Sequence, residues 1–228
     1  MKKYFLSLVC IGLLSVISSA QDSYKKTNIA LHFSGHIVSL KPQSNSAIAD
    51  GAASGYSFGA IIDRHFEKNY AFTTGFSVMN SGIKDQLWEK ENESYTKYNR
   101  KIKIQYIEIP TILKLKTNEI GYMTYYGNIG LSSGFRLKST FEKSFGDQKV
   151  DSGNAKEETS IFRSALVIGG GMEYNVSGST NILVGINYHN GFTNVLKGDG
   201  VAENNGVFTI EKQKAYANFV ELKLGIFF

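Results

Sequence analysis

The sequence predicts an all-β chain, an eight-stranded antiparallel up-and-down transmembrane β-barrel, and three observations carry that prediction. Eight segments place apolar residues at every second position and small or polar residues between them, the period of a strand whose two faces meet different surroundings. The connections between these segments alternate strictly between long and short. An export-type N-terminus precedes them all.

That N-terminus reads MKKYFLSLVCIGLLSVISSAQD: Lys2 and Lys3, an apolar run from Tyr4 to about Ile17, then Ser18 and Ala20 at the small-residue places of a cleavage site. Residues 1–20 are expected to be a secretory signal peptide cut after Ala20, and residues 21–228 the barrel domain. The apolar run is shorter than the roughly 20 residues of a membrane-crossing helix, and no long apolar stretch follows it. The single cysteine, Cys10, lies inside the signal, so the remainder has no disulfide, thiolate metal site or cysteine nucleophile. Such a composition suits export. The formal charge of +5 drops to +3 without Lys2 and Lys3, and no block of like charges gives a nucleic acid a footprint. Fifteen phenylalanines and thirteen tyrosines against two prolines suit strands rather than helices or disorder.

The elements follow in order. The first, 27–38, sets Ile29, Leu31, Phe33 and Ile37 against Ala30, His32, Ser34 and His36. The second, 55–62, groups Tyr56, Phe58, Ala60 and Ile62; it is short, and its neighbours require it. The third, 70–79, sets Tyr70, Phe72, Phe76 and Val78 against Ala71, Thr73, Gly75 and Ser77. The fourth, 102–115, switches its apolar phase partway. A carboxylate facing lipid is costly, so Glu108 is expected to point inward, leaving Ile107, Ile109, Thr111, Leu113 and Leu115 against lipid and Lys103 and Gln105 above the hydrocarbon. Pro110 has no N–H for the ladder, and a local bulge is expected there.

The fifth, 121–137, sets Met123, Tyr125, Ile129, Leu131, Phe135 and Leu137 against Thr124, Asn128, Ser132, Gly134 and Arg136. The sixth, 161–174, sets Phe162, Leu166, Ile168, Met172 and Tyr174 against Arg163, Ala165, Gly169, Gly171 and Glu173. The seventh, 181–192, shows Ile182, Val184, Ile186 and Tyr188 against Gly185, Asn187 and His189. The eighth, 216–228, sets Tyr216, Val220, Leu222, Leu224, Ile226 and Phe228 against Ala217, Glu221, Lys223 and Gly225. The connections 39–54, 82–101, 138–160 and 193–213 are long and polar, and 63–69, 116–120 and 175–180 are short. Outer-membrane barrels have this asymmetry, with short turns on the periplasmic side. A soluble barrel with its apolar face inward has the same period. The export signal, the loop lengths, the small residues of the polar face and tyrosines near strand ends (Tyr56, Tyr70, Tyr174, Tyr188, Tyr216) favour the cell outer membrane.

Residues 106–114, YIEIPTILK, resemble the PorT-like outer-membrane β-barrel family, as do GGGMEY at 169–174 and the closing LKLGIFF. The resemblance implies an eight-stranded outer-membrane barrel and, for some members, a link to the type IX secretion apparatus. Phe228 resembles the aromatic C-terminal signal read by the barrel-assembly machinery during insertion.

Parity puts Glu108, Arg136, Arg163, Glu173, Glu221, Lys223, His32 and His36 in the lumen. Eight strands leave room for side chains alone, so these are expected to be an internal network of paired charges. No catalytic, cofactor-binding or metal residue is assigned, no cofactor is expected, and the chain is read as not an enzyme. Two alternatives stay open: a lipid-modifying hydrolase using His32, Ser34 and Glu221, and a narrow pore. His32 and His36 share a face on the order of 13 Å apart, too far to share an ion. The function expected is a structural, adhesive or docking component of the envelope. Its partners would be outer-membrane lipid, the insertion machinery and other envelope or secretion proteins, with no nucleic acid.

Overall fold

Each alternating segment becomes a strand in the computed structural model, which describes residues 26–228. The expected signal peptide, 1–20, lies outside the described residues. The strands are β1 (Thr27–Pro42), β2 (Ile48–Ala49), β3 (Ala52–Glu67), β4 (Tyr70–Glu91), β5 (Ser94–Lys116), β6 (Met123–Phe145), β7 (Gln148–Asn154), β8 (Phe162–Ser177), β9 (Thr180–Gly191), β10 (Asp199–Asn204), β11 (Val207–Lys212) and β12 (Ala215–Phe227). Eight of them, β1, β3, β4, β5, β6, β8, β9 and β12, each pair antiparallel with the next, and β12 pairs with β1 from Ala30↔Phe227 to Pro42↔Ala215. The ring is closed, and no barrel strand is left with an unpaired edge.

Which way the faces turn is set by what each side chain can tolerate. On β1 the residues Ile29, Leu31, Phe33 and Ile37 are half or more exposed on the outer wall, while Ala30, His32, Ser34 and His36 are buried in the lumen. β12 repeats this with Val220, Leu222, Leu224 and Ile226 outside and Glu221 inside. A continuous belt of exposed aliphatic and aromatic residues around a buried polar interior is the arrangement hydrocarbon requires. The first described residues and the C-terminus meet at the end of the barrel that carries the short turns 68–69, 117–122 and 178–179, where the Phe228 N–H donates to the Ile29 carbonyl at 3.0 Å. That end faces the periplasm in barrels of this class. Aromatic pairs stand there on the wall, Phe66 with Tyr70 and Tyr122 with Tyr174, at centroid distances of 6.0 and 6.3 Å.

The structure departs from the sequence reading in three places. The first is the long connections, which are folded rather than open. Residues 82–101 continue β4 and β5 as a ladder from Gly82↔Lys103 to Glu91↔Ser94, closed by a two-residue turn where Asn92 has φ 55°. β7 pairs with β6, β2 with β4, and β10 with β11 in a separate hairpin. Both faces of these extensions are solvated or mixed, so the apolar period that marks a membrane strand is missing.

The second departure is at Pro110, where no bulge forms. The β4–β5 ladder lapses between Thr73↔Ile112 and Ser77↔Glu108 without changing register, and Pro110 keeps its place opposite Ser132 on β6. Gly75 lies in the lapsed stretch with φ 147°, and a Cβ there would meet the Ala60 carbonyl at 2.2 Å. A bulge does occur five residues earlier, where Gln105↔Lys138 is followed by Tyr106↔Arg136 and Leu137 is the extra residue. It reverses the parity of β6: Ser132 and Gly134 face inward before it, and after it Ser139 is buried while Lys138 is exposed. The third departure, at Arg136, is described with the site.

Above the bulge the barrel turns its chemistry round. Val38, Leu40, Met79, Ile83, Ile102, Ile104, Tyr106 and Phe219 pack inside the wall as an apolar core, together with Ala155, Val195 and Leu196 from the outer connections. The outer wall of β5 at this height carries Lys101, Lys103 and Gln105. The phase switch of the fourth segment is therefore the boundary between a membrane barrel and a water-soluble one stacked on it.

Candidate functional site

The lumen is filled in tiers. At the periplasmic end Lys114 is fully enclosed and donates to Asp63 at 2.7 Å and to Glu173 at 2.6 Å. Lys116 reaches the other oxygen of Glu173 at 2.5 Å, and the Thr73 hydroxyl donates to Asp63 at 2.6 Å. The Lys114 ammonium also stands 4.5 Å from the Tyr126 ring centre and 4.8 Å from that of Phe227. Two carboxylates and the ammonium groups of Lys114 and Lys116 would be intolerable here singly; together they leave few lone pairs unanswered. Lys114 and Asp63 were not placed in the lumen by the sequence reading, although Lys114 shares its parity with Glu108, and Asp63 was assigned to a turn that β3 overruns.

In the middle tier Glu221 accepts from the Ser34 hydroxyl at 2.6 Å and from the Asn187 amide at 2.8 Å, with His189 at 3.2 Å and Lys223 at 3.4 Å. Higher still, Arg163 bonds Glu108 and lies over the Phe219 ring at 4.9 Å, and His189 stacks on the same ring at 3.9 Å. The lumen set read from parity is thus present except for one member. Arg136 is half-buried and donates to the Lys156 carbonyl at 2.7 Å and to the Thr159 carbonyl and hydroxyl. It stands at the bulge, next to the reversal, and ties down the 155–160 connection instead of joining the charge network.

The hydrolase alternative needs His32 between Ser34 and Glu221. His32 Nε2 instead pairs with the Ser77 hydroxyl at 2.8 Å, and Ser34 donates directly to Glu221, so the histidine is not interposed. Among the described residues no group of three or more His, Cys, Asp or Glu is arranged to hold a metal ion. The glycines of GGGMEY make room: a Cβ at Gly169 would strike Asn187 Oδ1 at 2.2 Å, and one at Gly171 the Val184 carbonyl at 2.1 Å.

The outer mouth is sealed by stitched connections. Arg100 donates to both oxygens of Asp85, at 3.0 and 2.5 Å, and bonds Glu158. Burial pushes the Asp85 carboxyl above its usual range, against the pull of Arg100. Gln213 donates to the Ser46 carbonyl at 3.4 Å, and Glu211 accepts from the Ser46 N–H at 2.7 Å. Above these, the β10–β11 hairpin leans on the β4–β5 hairpin: Phe208 stacks on Tyr95 at 3.9 Å and meets Trp88 edge-on at 5.3 Å.

Between the hairpins lies a cleft of about 620 Å³ whose walls carry Leu87, Trp88, Phe141, Val201 and Ile210, with Glu89, Asp151, Glu157, Glu158 and Asp199 outnumbering Arg100, Lys143 and Lys197. Lys143 engages Glu89 at 2.6 Å and Arg100 engages Glu158; Asp151, Glu157 and Asp199 make no salt bridge among the described residues. The residues that surround these acids come from three connections far apart in the sequence, 82–101, 138–160 and 193–213. An apolar floor with surplus carboxylates can receive basic and aromatic side chains.

The profile of the outer membrane protein beta-barrel domain matches residues 19–197, which is most of the chain. No curated protein matches. Among solved structures, Ail, the attachment invasion locus protein of Yersinia pestis, aligns over 90% of this chain and 100% of its own at 14% identity and a TM-score of 0.39. Neisserial surface protein A aligns over 89% and 98% at 12% identity and 0.44, and OprG from Pseudomonas aeruginosa over 87% and 95% at 15% identity and 0.42.

Proposed function

The chain belongs to the outer membrane protein beta-barrel domain family, and from that premise we propose that this integral outer-membrane barrel is a sealed pedestal, whose task is to hold a rigid docking surface above the membrane. The observation that carries the reading is the outer cleft, built on strands that continue the barrel wall and braced by the Phe208, Tyr95 and Trp88 contacts. A filled lumen supports the same reading over a pore, since tiers of side chains from Lys114 to Phe219 occupy the interior. The occupant that fits is a protein segment presenting lysine or arginine beside aromatic residues. Residues 1–20 would bring the chain to the envelope, and Phe228 would present it to the insertion machinery.

The test is site-directed photocrosslinking from Val201 and Trp88 in intact outer membranes. A discrete adduct is expected, and it should disappear when Asp151, Glu157 and Asp199 are changed to Asn, Gln and Asn. An adduct pattern indifferent to those changes would sink the proposal. The link to type IX secretion rests on the resemblance carried by YIEIPTILK, GGGMEY and LKLGIFF. A strain lacking the protein that secretes its cargo normally would remove that link and leave the docking reading standing.

A further inference from the structure

We propose that the outer wall of the barrel carries a binding site for the phosphorylated headgroup of an outer-leaflet glycolipid, formed by Lys101, Lys103 and Lys138 at the upper rim of the apolar belt. The three lysines line a groove of about 490 Å³ on the outside of β4, β5 and β6, with Tyr56, Asn80 and Gln105 beside them. The height follows from strand order. On β5 the outward column reads Leu115, Leu113, Thr111, Ile109 and Ile107, then Gln105, Lys103 and Lys101. On β4 Phe76 and Val78 give way to Asn80, directly across from Gln105. The change from hydrocarbon-facing to polar side chains falls at one level on neighbouring strands, so the lysines stand where lipid phosphates stand.

Two further features separate this patch from ordinary surface lysine. The bulge at Leu137 is what brings Lys138 outside; with unbroken parity it would face the lumen along with Ser132 and Gly134. Lys101 lies directly across from Lys84 in the β4–β5 ladder and from Glu142 in the β5–β6 ladder, so one carboxylate faces Lys84, Lys101 and Lys103 together and leaves the patch with net positive charge. Lys103 bonds Glu142 at 2.9 Å, and Asp50 lines the adjoining hollow with Lys84, Lys101 and Glu142. Lys84, Lys101 and Lys138 form no salt bridge among the described residues. The amides of Gln105 and Asn80, joined at 3.1 Å, offer further polar atoms to sugar hydroxyls. Below the groove Val78, Ile107 and Leu137 continue the apolar wall, so an occupant whose acyl chains run down that wall is favoured over a free anion.

The test uses the full-length barrel in nanodiscs, with diphosphoryl lipid A and its dephosphorylated form as probes in native mass spectrometry. Diphosphoryl lipid A is expected to be retained in preference to the dephosphorylated form. Changing all three lysines to Gln should weaken retention on the order of a hundredfold, roughly fivefold for each, and K212Q, on the outer hairpin, should leave it unchanged. Heat-shifted mobility in SDS reports that each variant is folded, and single changes K103Q and K138Q serve if the triple variant is not. Equal retention of both lipids, or a folded triple variant that binds like the parent, would overturn the assignment. So would inorganic pyrophosphate binding as tightly as the lipid, which would make the groove a soluble-anion site.

Discussion

A single ammonium group shows what the interior of this barrel demands. Lys114 is enclosed by Asp63, Glu173 and two aromatic rings, so truncating it leaves Asp63 with the Thr73 hydroxyl and no ammonium, and Glu173 with Lys116. Lys114→Met is predicted to destabilise the barrel by about 3–5 kcal/mol, read as a shift in the urea midpoint of unfolding from bilayers. Lys114→Met combined with Asp63→Asn and Glu173→Gln should recover much of that loss; no recovery would mean that packing, not charge, dominates the tier. Gly171→Ala tests the other currency of the lumen, space. The new methyl would press on the Val184 carbonyl, a backbone atom that cannot swing aside, and a loss of about 1–3 kcal/mol is expected in the same assay. The parity of GGGMEY foretold the inward glycines. Their neighbours Asn187 and Val184 come from β9, and cross-strand partners depend on a register that alternation does not specify.

At the scale of the strand, the alternation of β1, β9 and β12 was legible almost residue for residue, because one face of each lies against hydrocarbon for most of its length. β4, β5 and β6 were legible only in their lower halves. Above the rim Lys84 and Gln86 look outward while the inner face mixes Ile83 with Asp85 and Leu87 with Glu89, and the sequence there loses the contrast that reveals a strand. The bulge was legible to a degree in the wrong place: Pro110 signalled an irregularity, but the chain answered with a lapse opposite Gly75 and put its extra residue at Leu137. Deleting Leu137 should remove the bulge and leave Lys138 outward and Ser139 inward, because Leu137 is all that separates the pair Tyr106↔Arg136 from Gln105↔Lys138. Retained heat-modified mobility, with no new protease cutting near Gly146 in intact cells, is the expected result; loss of either would show that the bulge itself is needed. Gly75→Ala should cost about 1–3 kcal/mol, since the backbone at φ 147° strains any side chain and the Ala60 carbonyl blocks the methyl. Removing Phe228 is predicted to slow insertion, measured as unfolded chain accumulating before the membrane; normal insertion would argue that the residue only finishes the ladder to Ile29.

Considered whole, the molecule joins two solvents' worth of folding rules in one wall. Its lower barrel keeps charge inside and grease outside, and its upper barrel does the opposite, with the apolar core from Val38 to Phe219 roofed by the outer connections. The class of the molecule was readable because the lower barrel dominates the alternation. The cleft was not, because it is assembled from residues that meet only when the ring closes. Planar-bilayer recordings of the intact protein are expected to show no conductance steps; reproducible openings would mean that the roof is not a seal. The level at which the two regimes meet has a mechanical meaning as well. Sliding the barrel down by one residue pair would drag Lys103 and Lys138 into hydrocarbon, and sliding it up would lift Ile107 and Leu137 into water. Both cost free energy. The protein therefore carries its own waterline, and where the local bilayer is thicker or thinner than the belt, the lipid must bend to meet it.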